Sequence, residues 1–314
     1  MNLLGVDIGG TKIAAGVVDS DTGAVIHSGR TATLATEGGA AVLARAVALA
    51  RQVLNDAAVS IAAVGVGAGG QIDYRSGVVL SATDILPGWA GTLLAEAFRE
   101  AFGVPAFADN DVNAFALGEH RFGAGRGASD AVYVTLGTGV GGAIFIGGKL
   151  HRGARGTGGE LGHMVIDDRD GFPVTLEAAA NGEALVCEYL GEAAYPRHGD
   201  PPRLPEPVTG AMVGEAAKRD ANPHAIWAVQ MVGGNLGGGL ASLANILDTE
   251  RFVIGGGIAE LGDLLFDAIR NGFAHQALPL YQDTAIVPAA LGGGSSLVGA
   301  ACVALAGLER ESCA

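Results

Sequence analysis

Three glycine-rich turns follow directly on apolar runs in this chain: Gly9-Gly10-Thr11-Lys12 after "NLLGVDI", Gly137-Thr138-Gly139 after "AVYVTL", and Gly255-Gly256-Gly257 after "RFVI". Successive backbone N–H groups in such turns form anion-binding concavities, and the hydroxyls of Thr11 and Thr138 add donors. One such turn is a weak signal. Three in one chain, two of them in matching hairpins, are what a nucleoside triphosphate requires. Lys12 stands either by a phosphate or in solvent. The first turn is not a P-loop, which needs Gly-x-x-x-x-Gly-Lys-Ser/Thr at the start of a helix. Here the spacing fails, and Ile13-Ala14-Ala15-Gly16-Val17-Val18 reads as a second strand that runs into the turn signal Asp21-Thr22-Gly23.

Carboxylates and a histidine stand where the remaining chemistry would need them. Asp7 ends the first apolar run beside a glycine turn, a place to hold magnesium through water or to cap the turn. In "FADNDVNAFALGEHRFG", Asp109, Asn110, Asp111 and Asn113 gather as a strand gives way to a helical pattern. Polar groups at the C-terminal end of a strand in an α/β fold are where substrate groups belong, although Asp111 also suits a helix N-cap. Glu160, His163 and Glu177 lie near one another in "GTGGELGHMVIDDRDGFPVTLEAAANG". Glu160 and His163 are spaced to share a helix face as metal ligands, but one histidine without a nearby cysteine is a weak zinc signature. Contacts to sugar hydroxyls are the competing use.

The elements that must carry these groups are legible in outline. After the hairpin comes a third strand near Ala24 to Arg30, then a helix over 38–55 with Leu43, Val47, Ala50 and Leu54 on one face. Buried strands follow at "IAAVGVGA" and "PAFADND". The plan then restarts: "AVYVTLGTGVGGAIFIGGKL" repeats the strand, glycine turn, strand of the N-terminus, and a slide of 128 residues sets Gly137 on Gly9 and Thr135 on Asp7. This spacing predicts a duplicated βββαβα domain with a cleft between the copies. Later, a long helix starts after Asn222-Pro223 with Leu236, Leu240, Leu243 and Leu247 on one face, and "RFVIGGGIAELGDLLFDAIRNGF" reads as strand, triple-glycine turn and helix. The proline-rich run Pro196 to Gly210 reads as an exposed loop.

Bulk properties exclude several functions. With 314 residues the chain can bury a large core, and its net charge of -14, from 33 acidic and 19 basic residues, opposes a grip on nucleic acid. Three scattered cysteines make neither a disulfide framework nor a zinc cluster. "MNLLGVDIGG" is no signal peptide, and charges interrupt the long apolar stretches, so no membrane partner is expected and a cytoplasmic location is.

Taken together, the motifs "DIGGTKI", "GQIDYRSGVVLSATDILPGW", "FADNDVNAFALGE", "LGTGVGGAIFIGGKLHRGARGTGGELGHM", "FVIGGGIAELGDLL" and "ALGGGSSLVGAA" resemble the ROK family (repressor, open reading frame, kinase), most closely its bacterial glucokinases. They cover nearly the whole chain in the family's order. The resemblance implies a two-lobed hexokinase/actin-like (ribonuclease H-like) α/β fold, with residues 1–112 and 297–314 as a small N-terminal lobe and 113–296 as a large C-terminal lobe. It implies ATP-dependent phosphorylation of glucose at the 6-hydroxyl, with N-acetylmannosamine or another amino-hexose as the alternative substrate, Mg²⁺ as cofactor and a homodimer. Asp111 matches the catalytic base. Gly69, Gly70, Asn110, Glu160, His163 and Glu177 match sugar contacts, Asp7 the magnesium-side acid acting through water, Gly9 to Lys12 and Gly137 to Gly139 the phosphate turns, and Gly255 to Gly257 the adenosine side.

Two departures stand out. Family members carry a cysteine cluster after the histidine equivalent to His163, which with it binds a structural zinc; "MVIDDRDGFPVTLE" has no cysteine, so no zinc is expected and the loop must be held by packing or hydrogen bonds. Asp84 replaces the Asn more common before Leu-Pro and is a further candidate for sugar contact. The family also includes repressors, which place a winged helix before the first phosphate strand. Here that strand starts at Asn2 or Leu3, and no such segment is expected.

Overall fold

The apolar runs on either side of Gly9–Thr11 pair as the expected hairpin, β1 (Asn2–Ile8) antiparallel to β2 (Lys12–Asp19), with β3 (Val25–Ala32) antiparallel beyond it. The structure is a computed structural model that describes residues 1–82, 86–169, 171–193 and 204–312. The chain divides into two units. The first comprises Met1–Gly127, Arg152–Gly158 and the chain from Ala290 onward; the second comprises Ala128–His151 and Gly159–Ala289.

In the first unit, α1 (Gly39–Ala57), β4 (Ala63–Ala68), a small hairpin of β5 (Gln71–Asp73) and β6 (Val78–Ser81), α2 (Leu94–Phe102), β7 (Ala106–Asn110) and α3 (Asp111–Phe122) follow the first hairpin. The main sheet has the order β3-β2-β1-β4-β7, with β1, β4 and β7 parallel. Strands buried on both faces read as continuous apolar runs, and β1 and β4 do so. Leu4, Val6, Ile8, Val64 and Val66 pack with Val42, Ala46, Leu49 and Val53 of α1. The buried stripe of α1 is therefore displaced by one position from the expected face: Leu43, Val47 and Leu54 lie on its flank. Periodicity gives a helix and its width, whereas the neighbouring sheet decides which edge of the stripe goes inward.

The other sheet face meets the C-terminal helix, which is α9 in chain order (Ser295–Ser312). Gly5 and Gly65 are register partners on β1 and β4, and a Cβ on either would enter the α9 backbone, at the Leu297 and Ala300 carbonyls. The helix axis is thus held closer to the sheet than any side chain would allow. α9 is long and apolar enough to cross a membrane by length and composition, yet it lies against this sheet.

The second unit runs β8 (Ala131–Leu136), β9 (Val140–Ile146), β10 (Lys149–Leu150), a hairpin of β11 (Val165–Arg169) and β12 (Phe172–Thr175), α4 (Leu176–Ala180), α5 (Gly182–Ala193), α6 (Gly210–Lys218), α7 (Pro223–Leu247), β13 (Arg251–Gly255), α8 (Asp263–Gln276) and β14 (Ala285–Pro288). Its main sheet has the order β10-β9-β8-β13-β14, position for position that of the first unit, so the duplicated domain is realised in both units. Asn222 caps α7 as expected, accepting from His224 and Ala225 N–H with Pro223 in the first turn. Leu236, Leu240 and Leu243 are buried in this core. The segment "MVIDDRDGFPVTLE" forms the β11–β12 hairpin, and the carboxylate of Asp168 accepts from Gly171 N–H (2.8 Å) in its turn. Most of the expected Pro196–Gly210 loop, 196–203, lies outside the described residues; Gly210 already begins α6. The units part at Gly127/Ala128 and Ala289/Ala290, against 112/113 and 296/297 in the sequence reading, because α3 packs on α9 in the first unit, with Gly118 against Gly299.

The close approach of α9 predicts opposite effects for two glycine substitutions. Gly65→Ala must displace the Ala300 carbonyl and should destabilise by about 1–3 kcal/mol or more. Gly191→Ala, in α5 with open space around it, should stabilise by about 0.4–1 kcal/mol through the unfolded state. Urea denaturation of the two variants checks both signs.

Candidate active site

Three parallel strands of the first unit end together. Asp7, Gly67 and Asp109 share one register line, and Ile8, Ala68 and Asn110 the next, so Gly9, Gly69 and Asp111 leave the sheet side by side. The C-terminal edge of parallel strands is where α/β folds bind ligands. Asp7 is 8 % exposed. Burial above all, and then the nearby Asp111, pushes its carboxyl up to about 6 against the opposing effects of a hydrogen bond from Ser296 and the Lys12 ammonium. The first glycine turn is fixed from behind: Gly9 N–H donates to the Lys12 carbonyl (3.0 Å), and Thr33 takes the Gly9 and Thr11 carbonyls through its hydroxyl (2.6 Å) and N–H (3.0 Å). Gly10, Thr11 and Lys12 stand exposed.

The helix cap corrects one sequence expectation. Asn110, not Asp111, is the N-cap of α3: its side-chain oxygen accepts from Val112 (2.8 Å) and Asn113 (3.2 Å) N–H. Asp111 is the first helical residue, and its carboxylate accepts from Val112 N–H at 2.9 Å. Capping therefore does not account for Asp111. The other end of the Asn110 amide donates to the Gly70 carbonyl (3.0 Å), and the indole N–H of buried Trp89 donates to the Gly69 carbonyl (3.1 Å). Gly70 has φ +100°, and a side chain there would strike the Ser81 carbonyl, so the Gly69–Gly70 turn is built for glycine and held from two sides. Asp109 points elsewhere, into an ion pair with Arg152.

In the second unit the Gly137–Gly139 turn joins β8 to β9, and it has the same three-residue length as Gly9–Thr11. Gly137 N–H donates to the Gly139 carbonyl (3.0 Å), Gly182 N–H to the Gly137 carbonyl (2.9 Å), and Glu177 accepts from Val140 N–H (2.9 Å). Glu177, expected among the sugar contacts, thus uses one oxygen to brace a glycine turn, and its Cβ lies beside Gly162. Glu160 and His163 bracket the short 3-10 turn containing Gly162, closed by His163 N–H on the Glu160 carbonyl (3.2 Å), and both are exposed. Gly256, at φ +92°, packs on the Leu136 backbone, which brings the Gly255–Gly257 turn beside the end of β8. The helix expected straight after these glycines begins later, at Asp263, beyond a 3-10 turn over Gly257–Leu261. Gly137, Thr138, Gly257 and Ile258 line one cavity of about 580 Å³, completed by the start of α5 at Gly182 and by Gly210, Gly214 and Lys218 of α6. That volume lies in the range of small-molecule sites.

Gly182, Gly210, Ser296, Trp89 and Arg152 were not singled out from sequence. Trp89, Arg152 and Ser296 do fall inside the quoted motifs "LPGW", "HRGARG" and "GGGSSL", but glycine and serine runs name no partner. Asp84 lies outside the described residues. Among the described residues no group of three or more His, Cys, Asp or Glu is placed to hold a metal ion.

Two duplicated five-stranded units, each with glycine turns at strand ends, define an actin-like ATPase fold of the hexokinase type. The ROK family model matches residues 3–306, and the chain belongs to the ROK family. It is 36% identical over 319 residues to a glucokinase of Streptomyces coelicolor, covering 95% of this chain and 96% of that one. Among solved structures, a ROK family glucokinase from Streptomyces griseus in complex with glucose and AMPPNP is 35% identical with a TM-score of 0.82, covering 98% of this chain and 100% of the other. A ROK hexokinase from Thermus thermophilus is 32% identical with a TM-score of 0.81, covering 99% and 100%.

The raised carboxyl of Asp7 has a thermodynamic signature. A folded-state value above the ordinary 3.8 contributes stability below pH 3.8 that is lost as pH rises through about 6. Asp7→Asn, which does not titrate, should therefore be more stable than the native protein at pH 8, by at most about 3 kcal/mol for a shift to about 6. The difference should vanish below pH 3.8. Chemical denaturation across that range, without added divalent cation, tests the sign.

Proposed function

We propose that this protein is an ATP-dependent hexose kinase that phosphorylates the 6-hydroxyl of glucose. The observation that carries the reading is Asp111: it stands at the start of α3 with the cap supplied by its neighbour, close enough to buried Asp7 to raise that group's affinity for a proton. Asp111 accepts the proton of the attacking hydroxyl. Gly69, Gly70 and Asn110 hold the sugar from the first unit; Asn110 keeps one amide hydrogen for it after bonding Gly70. Glu160, His163 and Asp84 contribute further sugar contacts, and Glu177 acts through the turn it braces.

The cavity bounded by Gly137, Thr138, Gly257 and α6 takes the adenosine end of ATP, and the family resemblance assigns the turns at Gly9–Lys12 and Gly137–Gly139 to its phosphates. Gly255 and Gly256 build the adenosine wall, and Gly257 lines it. Mg²⁺ binds through one or two carboxylates together with substrate phosphates, and the buried carboxylate of Asp7, whose negative charge Asp111 disfavours, fits such an ion. When bound, the ion neutralises charge on the transferring phosphoryl group. Asp7 holds it from a buried position, through water, and Lys12 adds a second positive charge.

Asp111→Asn should leave hexose binding near the native level, read by tryptophan fluorescence, while turnover falls by about 10²–10⁴ or more. A panel of hexoses and amino-hexoses with ATP and Mg²⁺, scored by kcat/KM, tests the substrate. A native protein that binds a hexose but consumes no ATP would overturn the kinase reading in favour of a sugar-binding regulator.

A further inference from the structure

The Asp109 side chain is 2 % exposed, and its charge is met by Arg152, whose Nη2 lies 2.5 Å from Oδ2 as an ion pair. The other oxygen, Oδ1, accepts from Asn110 N–H (2.8 Å) and from the Asn113 side-chain amide (2.9 Å). One buried carboxylate thus holds the N–H of Asn110, the residue before Asp111, and the side chain of Asn113, two residues after it. The Arg152 Cζ itself lies over the Tyr74 ring, 4.1 Å from its centroid, with the side chain 16 % exposed. The Arg152 Nη1 and the Asp109 Oδ2 are both buried with no hydrogen-bond partner, so the two groups meet through charge.

Arg152 opens the segment Arg152–Gly158, which packs in the first unit although the chain on both sides belongs to the second. The segment closes on itself through Gly158 N–H to the Arg152 carbonyl (2.9 Å), with Gly153 and Gly156 at φ +67° and +82°. Its sequence, Arg-Gly-Ala-Arg-Gly-Thr-Gly, contains no large apolar side chain to anchor it. A buried ion pair adds little net stability over a well-packed apolar pair, because desolvation offsets the attraction. What this pair does supply is direction: the Arg152 guanidinium holds the Asp109 carboxylate turned so that Oδ1 meets the start of α3.

We propose that Arg152 is a positioning residue for Asp111, acting through Asp109 to hold the first turn of α3 in the geometry that phosphoryl transfer needs. The kinetic part of this inference rests on the kinase reading; the structural part does not. Replacing Arg152 leaves an unpaired buried carboxylate, replacing Asp109 leaves an unpaired buried guanidinium, and replacing both removes the conflict while Asn at 109 can still accept from Asn110 and Asn113.

The test compares the native protein with Arg152→Met, Asp109→Asn and the double variant, in two measurements. Hydrogen exchange of the peptide spanning Asn110–Asn113 should lose protection in each single variant and regain it in the double. Turnover should fall on the order of 10²-fold in Arg152→Met, as misplacement of a reacting group does, with the KM for MgATP unchanged. It should recover to within about tenfold of native in the double variant, because the uncompensated charge is gone. Arg152→Lys, which keeps the charge but loses the guanidinium over Tyr74, serves if the Met variant does not fold, and should show the same KM against kcat split with a smaller fall. Native-like exchange in Arg152→Met, or a double variant no better than the worse single, would overturn the proposal. If the native protein phosphorylates no hexose, the kinase reading fails, and the exchange measurement alone decides the role of Arg152.

Discussion

The first unit depends on a contact between backbones. β1 and β4 each carry a glycine at the same register position, and α9 rests its carbonyls where two side chains would otherwise be. That approach sets the height of α9 over the sheet and brings Ser296, in its first turn, to Asp7. It also sets α3, which meets α9 through Gly118 and Gly299. Glu119 locks the arrangement at the far end of α3. Fully buried, its carboxylate accepts from Ala124, Ala290 and Leu291 N–H at 2.8, 3.0 and 2.9 Å, and Gly123 leaves it room. A buried carboxylate satisfied by three backbone N–H groups is stable without a cation. The loop into α9 and the loop out of α3 are thereby one structure.

On that sheet face, two carboxylates one strand apart from Gly67 meet opposite fates. Asp109 faces Arg152 through Oδ2 and accepts two hydrogen bonds through Oδ1, whereas Asp7 is buried beside another acid with one serine and a lysine for relief. Gly67 lies between them, with no side chain to press on Ala114 and the start of α3 above it. The difference separates a carboxylate that holds backbone in place from one kept under electrostatic tension, and such tension marks functional sites more often than structural ones. The proposed roles of Asp7 and Asp109 follow from it.

What the sequence made legible was whatever repeats or runs. The duplicated strand plan, the glycine turns and the capped long helix depend on local spacing, and all appear in the structure. Where a choice lay between adjacent positions, the sequence was ambiguous: the inward edge of α1 lies one residue from the expected stripe, and the α3 cap is Asn110 and not Asp111. Both side-chain types suit a cap, and only the strand exit angle selects one. Pairings across long separations were not legible. Trp89 with Gly69, Arg152 with Asp109, and Ser296 with Asp7 join residues whose proximity is created by topology, and no periodicity announces them. Glu177 belongs with these, since its bond to Val140 spans 37 residues.

The placement of α9 also bears on the order in which the protein comes into being. Its residues are synthesised after the whole of the second unit, yet it packs on the face of β1 and β4 that carries Gly5 and Gly65. Domains generally fold as units during synthesis, the N-terminal one first. Here the unit made first takes in a helix made after the second unit, and the backbone contact at its paired glycines waits for that helix to dock.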